Sequence, residues 1–293
     1  MIKIKVLAPS KKENDRDYGD CILINDNGSV VVYDCGSDEL ADLVLDYLRK
    51  NNISKVDVVL SHNDNDHFAG IPKLIESGVV NSVTTILLKD YVHEIKDRIE
   101  DERVTENSIQ NKIEEWYSNI YSLDEKYLCD AITDKNITNN IKIVGPSRDY
   151  FLDAVAKQFD PTESDCIDQV TIFNAISIQL DIKIDKYRTL LTGDASFEAF
   201  SDKLYKYDCI QLPHHGNKDM AEKIFEENEK RNNIIYIVSD NKGDSINGGS
   251  DDLPSKGYDI RNSKKGSFVI DSSSFCSQIK GSLGFYEIFN IRQ

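Results

Sequence analysis

Two histidines and two aspartates lie close together in one predicted loop, as His62, Asp64, Asp66 and His67. Neutral imidazole and carboxylate groups are ligands suited to Zn, Mn or Fe. Four such groups at this spacing can hold two cations side by side. An Asn/Asp-rich turn with two incidental histidines is the alternative, and ligand-type residues later in the chain argue against it. The spacing therefore predicts a metal centre in this loop.

The loop lies between two elements that would hold it in place. Residues 56–60 form a β-branched run typical of a buried strand. After the loop, Ile71, Leu74 and Ile75 have the spacing of one helix face. The ligand-type side chains are thus expected at the end of a strand, where rigid scaffolds commonly carry function.

Three further polar clusters also follow predicted strands. They are Asp34, Asp194 and the pair His214 and His215. Strand ends at one edge of a sandwich can converge on a single cleft. Of the five histidines, only His93 falls elsewhere, in a helix-like stretch. This concentration of histidines at strand ends is the strongest argument from the residues for a metal centre.

The rest of the chain predicts one domain over residues 1–293, because no Pro/Gly-rich linker divides it. Predicted strands, including one at 170–173 and one at 283–288, outnumber helices, which include one at 196–205. This pattern predicts an α/β fold with two sheets between helices, a four-layer αββα sandwich. The polar composition and the helical spacing of apolar residues over 90–135 predict an inserted helical segment there. That segment is either a lid or partner surface, or a helical pair that covers the sheet.

The composition narrows the function classes. With 40% hydrophobic residues the chain can bury a sizeable core, and its net charge of −16 argues against non-specific binding to long nucleic acids. No stretch approaches the roughly 18 apolar residues of a membrane span. The first residues lack the layout of a signal peptide. We therefore expect a soluble cytoplasmic protein with no membrane partner.

The motifs resemble those of the metallo-β-lactamase superfamily, whose signature is HxHxDH after a strand, then a Gly-Asp, then a final His. Here Asp64 replaces the second His, a variant similar to the soluble domain of competence-type DNA-uptake channels and related stand-alone hydrolases. Further matching segments follow in family order: Gly19-Asp20, Tyr33-Asp34-Cys35-Gly36, Asn174 with residues 177–180, Gly193-Asp194 and His214-His215-Gly216.

The resemblance implies two divalent metal ions, Zn or Mn, each bound by residues of these motifs. His62 and Asp64 would hold one ion. Asp66 and His67 would hold the second, and Asp194 would bridge the two, since a carboxylate can give one oxygen to each.

Further roles are implied for the remaining motif residues. Either His214 or His215 completes a metal site, with His214 taken as the ligand. The other, His215, would orient the substrate or protonate the leaving group. Asp66 is also implied as a catalytic residue. Asp34 would accept an N–H from a ligating His and so fix its tautomer.

Two ions about 3.5–4 Å apart would activate a bridging water and clamp the attacked and leaving oxygens. This favours a phosphodiesterase or nuclease that acts on a nucleotide or a nucleic-acid end. Two alternatives stay open. The family's usual His before Asp194 is not obvious, so the chain is alternatively a weakly catalytic scaffold that binds a protein partner through residues 90–135. The other alternative is an acyl or lactone hydrolase.

Overall fold

Two β-sheets and the helices around them make up the part of the chain that the computed structural model describes. The predicted strand at 283–288 lies outside that part. The described residues are 1–9, 19–131, 135–160, 166–239, 249–254 and 257–276.

The first sheet has the order β15-β1-β2-β3-β4-β5-β6. Its strands are antiparallel from β15 to β3 and parallel from β3 to β6. The strand bounds are β1 (Lys3–Val6), β2 (Ile22–Asp26), β3 (Ser29–Tyr33), β4 (Val56–Val59), β5 (Val80–Thr85), β6 (Leu128–Asp130) and β15 (Phe268–Ile270).

The second sheet has the order β14-β13-β12-β11-β10-β7. It is parallel from β14 to β11 and antiparallel from β11 to β7. The strand bounds are β7 (Ile141–Gly145), β10 (Gln179–Ile184), β11 (Tyr187–Leu191), β12 (Cys209–Gln211), β13 (Ile235–Val238) and β14 (Asp259–Asn262). A separate small hairpin joins β8 (Cys166–Ile167) and β9 (Val170–Thr171).

Short helices connect the strands. None in the described residues is long and apolar enough to cross a membrane. Their bounds are α1 (Asp38–Lys50), α2 (Asn65–Phe68), α3 (Ile71–Glu76), α4 (Val92–Lys96), α5 (Glu106–Trp116), α6 (Ser118–Tyr121), α7 (Arg148–Lys157), α8 (Ile172–Ala175), α9 (Pro213–Gly216) and α10 (Lys218–Glu227).

Packing between the two sheets confirms the predicted α/β sandwich. One cluster of buried apolar residues includes Val32 and Val58 of the first sheet and Ile143 and Leu180 of the second. The Tyr33 hydroxyl also donates a hydrogen bond across the sheets to the carbonyl oxygen beside β10, that of residue 178, at 2.6 Å. The sheets therefore share a core, and their strand ends meet.

Three local predictions differ from the structure. The strand expected at 170–173 stops at Thr171, whose hydroxyl accepts the amide N–H of Asn174 at 3.2 Å and caps α8. The helix expected at 196–205 is two 3₁₀ turns instead. The segment 90–135 holds α4, α5 and α6 as expected, but it also holds β6, which extends the first sheet.

Candidate metal centre

The predicted ligands lie at the carboxyl ends of parallel strands in both sheets. In the first sheet Asp34 follows β3, and the 61–67 loop follows its parallel neighbour β4. In the second sheet Asp194 follows β11, and the two adjacent histidines follow its parallel neighbour β12. Parallel neighbours end at the same edge, so each sheet presents its polar cluster at one edge. The sandwich brings the two edges together.

Asp194 lies at the centre of the site, between three imidazole rings. Its Oδ1 is 3.5 Å from Nε2 of His67, and its Oδ2 is 3.9 Å from Nε2 of His62 and 3.8 Å from Nε2 of His215. One ligand-type atom from each of Asp20, His67, Asp194 and His215 lies within 4.8 Å of the others. This is the position that a carboxylate shared between two ions would occupy.

Three buried atoms in this group have no hydrogen-bond partner among the described residues. They are Nε2 of His62, Nε2 of His67 and Oδ1 of Asp194. Buried polar atoms are nearly always paired in folded proteins. Here the two unpaired Nε2 atoms face the carboxylate that carries the third unpaired atom, and all three are ligand-type atoms. Divalent cations would satisfy all three, so the residues present fit a metal centre.

A carboxylate fixes the ring of His67. Its Nδ1 lies 2.9 Å from Oδ2 of Asp34, whose Oδ1 accepts the backbone N–H of Ser61 at 2.7 Å. Asp34 and His67 are both fully buried. With Nδ1 donating to Asp34, the Nε2 atom faces Asp194. The predicted role of Asp34 requires this arrangement.

Two hydroxyls contact the ring of His62. Ser177 Oγ donates to the carbonyl oxygen of Asn174 at 2.7 Å and lies 3.2 Å from His62 Nδ1, and Ser61 Oγ lies 3.0 Å from the same nitrogen. A proton on Nδ1 would leave the Nε2 lone pair of His62 free. Asp64, whose side chain is half exposed, reaches within 3.6 Å of this Nε2 through its Oδ2. His62 and Asp64 are therefore adjacent, as the predicted first site requires.

The turn after β12 bends sharply and aims both of its histidines into the site. His214, His215 and Gly216 have φ values of +51°, +57° and +80°. Two non-glycine residues in the left-handed region cost of the order of 1–2 kcal/mol each. This strain brings the Nε2 of His215 to 3.2 Å from Asp66 Oδ2, whereas the Nε2 of His214 lies 4.0 Å from Asp194 Oδ2.

The two histidines differ in their surroundings. His215 belongs to the central group of four ligand-type residues, and His214 does not. His214 is more exposed, and its Nδ1 has no hydrogen-bond partner among the described residues. Which of the two binds a metal stays a prediction. His93 lies away from the site, paired with Glu106 at 2.8 Å on the surface.

Several contributors to the site were missed from the sequence. Asp20, Ser177 and Asn174 were noted only as parts of matching motifs, with no role assigned. Asn174 lies beside the central carboxylate, with its Nδ2 3.4 Å from Asp194 Oδ2. Asp20 Oδ1 lies 3.3 Å from Nδ1 of His215. The only signal for Asp20 in the sequence was its place in the Gly-Asp motif.

Opposite charges inside the site shift its pKa values strongly. Burial alone would raise the pKa of Asp194, but His67 and His215 hold it well below its usual value. Burial alone would lower the pKa of His67 and of His215, but Asp194 raises both well above the usual value, helped by Asp34 and Asp20 respectively. Protons on these imidazoles thus balance the carboxylates, and a divalent cation would compete for the same atoms.

The segment 90–135 packs directly on the predicted metal loop. The Asn63 side chain donates to the carbonyl oxygen of Trp116 at 2.6 Å, and Asn119 Nδ2 donates to Asn65 Oδ1 at 3.2 Å. Ile109 of α5 is fully buried in the core. The segment therefore covers the sheet and also holds the loop. A protein partner for it stays a prediction.

A family model for the metallo-β-lactamase superfamily matches residues 14–108, which contain the HxDxDH loop. Over these residues the chain is similar to that superfamily. The match agrees with the observed fold, and the superfamily is one of metal-dependent hydrolases. A search of curated proteins finds no match.

Solved structures with the same fold match over 92% of this chain. The metallo-β-lactamase fold protein YhfI from Bacillus subtilis is 13% identical, with a TM-score of 0.52 over 92% of this chain and 98% of its own. Tm1679, a metal-dependent hydrolase of the β-lactamase superfamily, is 15% identical, with a TM-score of 0.51 over 92% and 99%. A diphosphatase from the PhnP family is 12% identical, with a TM-score of 0.50 over 92% and 98%. At these identities the likeness establishes the fold.

Proposed function

We propose that the protein is a metal-dependent hydrolase that cleaves phosphodiester bonds with two divalent ions, Zn or Mn. The proposal is carried by the three unpaired buried atoms, Nε2 of His62, Nε2 of His67 and Oδ1 of Asp194. The two Nε2 atoms lie 3.9 and 3.5 Å from the Asp194 carboxylate, and none of the three atoms has a hydrogen-bond partner among the described residues. A fold that needed these residues only for stability would pair them.

The residues divide into two candidate ligand sets. His62 and Asp64 would hold one ion, and Asp66, His67 and His215 the other, with Asp194 between the two. When bound, such a pair of ions activates a water and stabilises charge on the attacked and leaving oxygens. This chemistry suits a phosphodiester best.

His214 is left as the group that would act on the substrate. Burial lowers the pKa of His214, so its ring is neutral near pH 7. A neutral imidazole can donate one hydrogen bond and accept another. Its side chain is one-fifth exposed, so an incoming substrate can reach it.

Two weaker observations support a small phosphodiester as the substrate class. One structural neighbour is described as a diphosphatase, an activity stated for that protein. The HxDxDH variant resembles the soluble domain of competence-type DNA-uptake channels, which favours a nucleotide or a nucleic-acid end. With a net charge of −16, the chain as a whole repels long polyanions, so a small phosphodiester is the preferred substrate.

The test combines metal content with a panel of substrates. Elemental analysis of the purified protein should find about two equivalents of Zn or Mn per chain. The loaded protein should hydrolyse bis(p-nitrophenyl) phosphate, and Asp194→Asn should abolish that activity while leaving the far-UV circular dichroism unchanged. Asp181→Asn, a change at a buried carboxylate paired with Arg188, is the matched control. Faster hydrolysis of a thioester or lactone would replace the proposed substrate class, and a fully active Asp194→Asn would refute the mechanism.

A further inference from the structure

We infer that Asp20 is a positioning residue, which holds His215 in place for metal binding and is not itself a ligand. The inference rests on the metal-binding part of the proposed function and not on the substrate. Asp20 comes just before β2 in the first sheet, whereas His215 follows β12 in the second sheet. The pair therefore joins the two halves of the site.

The hydrogen bonds of Asp20 leave little of its carboxylate for an ion. Its Oδ2 accepts from Ser239 Oγ at 2.6 Å and from Gln211 Nε2 at 3.3 Å, and its Oδ1 faces His215 Nδ1 at 3.3 Å. The side chain is 1% exposed. By contrast, Oδ1 of Asp194 in the same cluster has no partner among the described residues.

A chain of ordered donors sets the direction of these bonds. Gln211 Oε1 accepts the backbone N–H groups of Thr192 and Gly193 at 3.0 and 3.2 Å, so its Nε2 must point away from them. That Nε2 donates to Ser239 Oγ at 2.6 Å. The Ser239 hydroxyl proton is then directed at Asp20. The chain thus begins beside Asp194 and ends at the carboxylate that faces His215.

Asp20 and His215 reproduce the arrangement of Asp34 and His67. In each pair a buried carboxylate faces Nδ1 of an imidazole. The same carboxylate also accepts a hydrogen bond from at least one further donor whose direction is fixed by its surroundings. In each pair the ring's Nε2 faces Asp194, at 3.5 Å for His67 and 3.8 Å for His215. A carboxylate in this position fixes the tautomer and orientation of a ligating histidine.

The backbone of Asp20 holds a second predicted ligand. Its N–H donates to the carbonyl oxygen of Asp66 at 2.8 Å, and its own carbonyl oxygen accepts the N–H of Gly36 at 3.0 Å. The backbones at Asp20, Gly36 and Asp66 approach so closely that a Cβ on Gly36 would lie 1.8 Å from the carbonyl oxygen of Asp66. Asp20 therefore positions Asp66 through its backbone and His215 through its side chain.

A double-mutant cycle on ion affinity separates positioning from direct ligation. Asp20→Asn keeps the size and shape of the side chain. Its oxygen should accept the hydrogen bonds from Ser239 and Gln211, so its NH2 group would face Nδ1 of His215. That nitrogen must then accept, and the imidazole proton moves to Nε2 of His215. We expect a 10–100-fold loss of affinity for the ion that His215 would hold. In a His215→Gly background, Asp20→Asn should change the affinity by less than about twofold, the usual precision of such cycles. Glycine is chosen because it adopts the left-handed backbone of residue 215 freely.

The outcomes are distinct. A further large loss in the His215→Gly background would show that Asp20 binds the ion itself and would overturn the inference. Asp34→Asn, which faces His67 instead, should lower affinity equally in both backgrounds and is the matched control. A wild-type protein that binds no ion would refute the proposed function instead. Failure of the phosphodiester assay with normal ion binding would leave the inference intact.

A second measurement covers the case in which His215→Gly does not fold. Wild type and Asp20→Asn are each saturated with Co²⁺, and their visible absorption spectra are compared. Positioning predicts the same band positions and intensity at saturation, with a higher Co²⁺ concentration needed to reach it. Direct ligation predicts a changed spectrum at saturation, because one oxygen ligand has been altered, and that result would overturn the inference.

Discussion

Asp34→Asn is the most informative single substitution for testing the metal centre, because it changes one hydrogen-bond direction and almost nothing else. Asp34 is fully buried and has a φ of +59°. Asparagine adopts this left-handed conformation more readily than most residues. The variant should therefore keep the backbone turn after β3.

The consequence of Asp34→Asn follows from its two partners. Ser61 offers a backbone N–H at 2.7 Å, which can only donate. The asparagine oxygen must face it, so the amide faces His67 Nδ1 at about the present 2.9 Å. His67 then has to accept at Nδ1 and carry its proton on Nε2, the atom 3.5 Å from Asp194 that would bind the ion. The substitution thus blocks a ligand without removing it.

Loss of such a carboxylate partner lowers metal affinity by about 10–100-fold, or about 1.4–2.8 kcal/mol. Competition with a chromophoric chelator measures this change directly for Zn²⁺ and Mn²⁺. Asp181→Asn is the matched control, since Asp181 is a buried carboxylate whose partner is Arg188 and not a histidine of the site. An Asp34→Asn variant that bound both ions with wild-type affinity would refute the tautomer argument.

Two predictions concern protons, and a third concerns packing. Because the pKa values of His67 and His215 are raised, ion binding near pH 7 should release about two protons, measurable by titration calorimetry in buffers of different ionisation enthalpy. With a chelator present, the raised pKa values of His67 and His215 stabilise the folded state. This stabilisation is complete below the unfolded-state pKa of about 6.5 and is lost as the pH rises through the folded-state pKa values, so Tm should fall on the alkaline side. Gly36→Ala should abolish ion binding, since its Cβ would meet the Asp66 carbonyl at 1.8 Å, whereas Gly28→Ala, with nothing within 4 Å, should retain it.

Much of the fold could be predicted because local patterns and tertiary contacts agree there. The β2–β3 hairpin has Asn27 and Gly28 at positive φ, as its turn sequence requires. Helix α1 begins after the N-cap residue Ser37, a residue type that favours this position, and its Oγ accepts the Leu40 N–H at 3.3 Å. The strands missed from the sequence include β6 and β14, which are short and half-exposed throughout. Pairing at the sheet edges forms them, and no periodicity marks such strands in advance.

The β-branched run at 170–173 shows where propensity was overridden. Val170, Thr171 and Ile172 favour a strand locally. The Thr171 hydroxyl instead starts the one-turn helix α8. That turn places Asn174 beside Asp194 and brings Ser177 to His62. Tertiary contacts of the second sheet thus override the local strand propensity.

The candidate ligands were predictable from residue type, and the role of Asp34 was implied by the family resemblance, but a role for Asp20 was not predicted. His62, Asp64, Asp66 and His67 are close in sequence, so their spacing alone indicated a common site. Asp20 and His215 are separated by 195 positions, and only the packing of the two sheets brings them within 3.3 Å. A lone Asp before a strand carries no sequence signal for such a partner.

The charge balance of the site connects its fold to its function. Asp20, Asp34 and Asp194 are all buried, and buried carboxylates are tolerated only when cations or hydrogen bonds compensate them. Imidazole protons can supply part of that compensation, but each proton also occupies a ring nitrogen that would otherwise face Asp194. Divalent ions compensate the carboxylates and pair the free nitrogens at once. The arrangement of buried acids therefore favours a metal centre over a purely structural cluster.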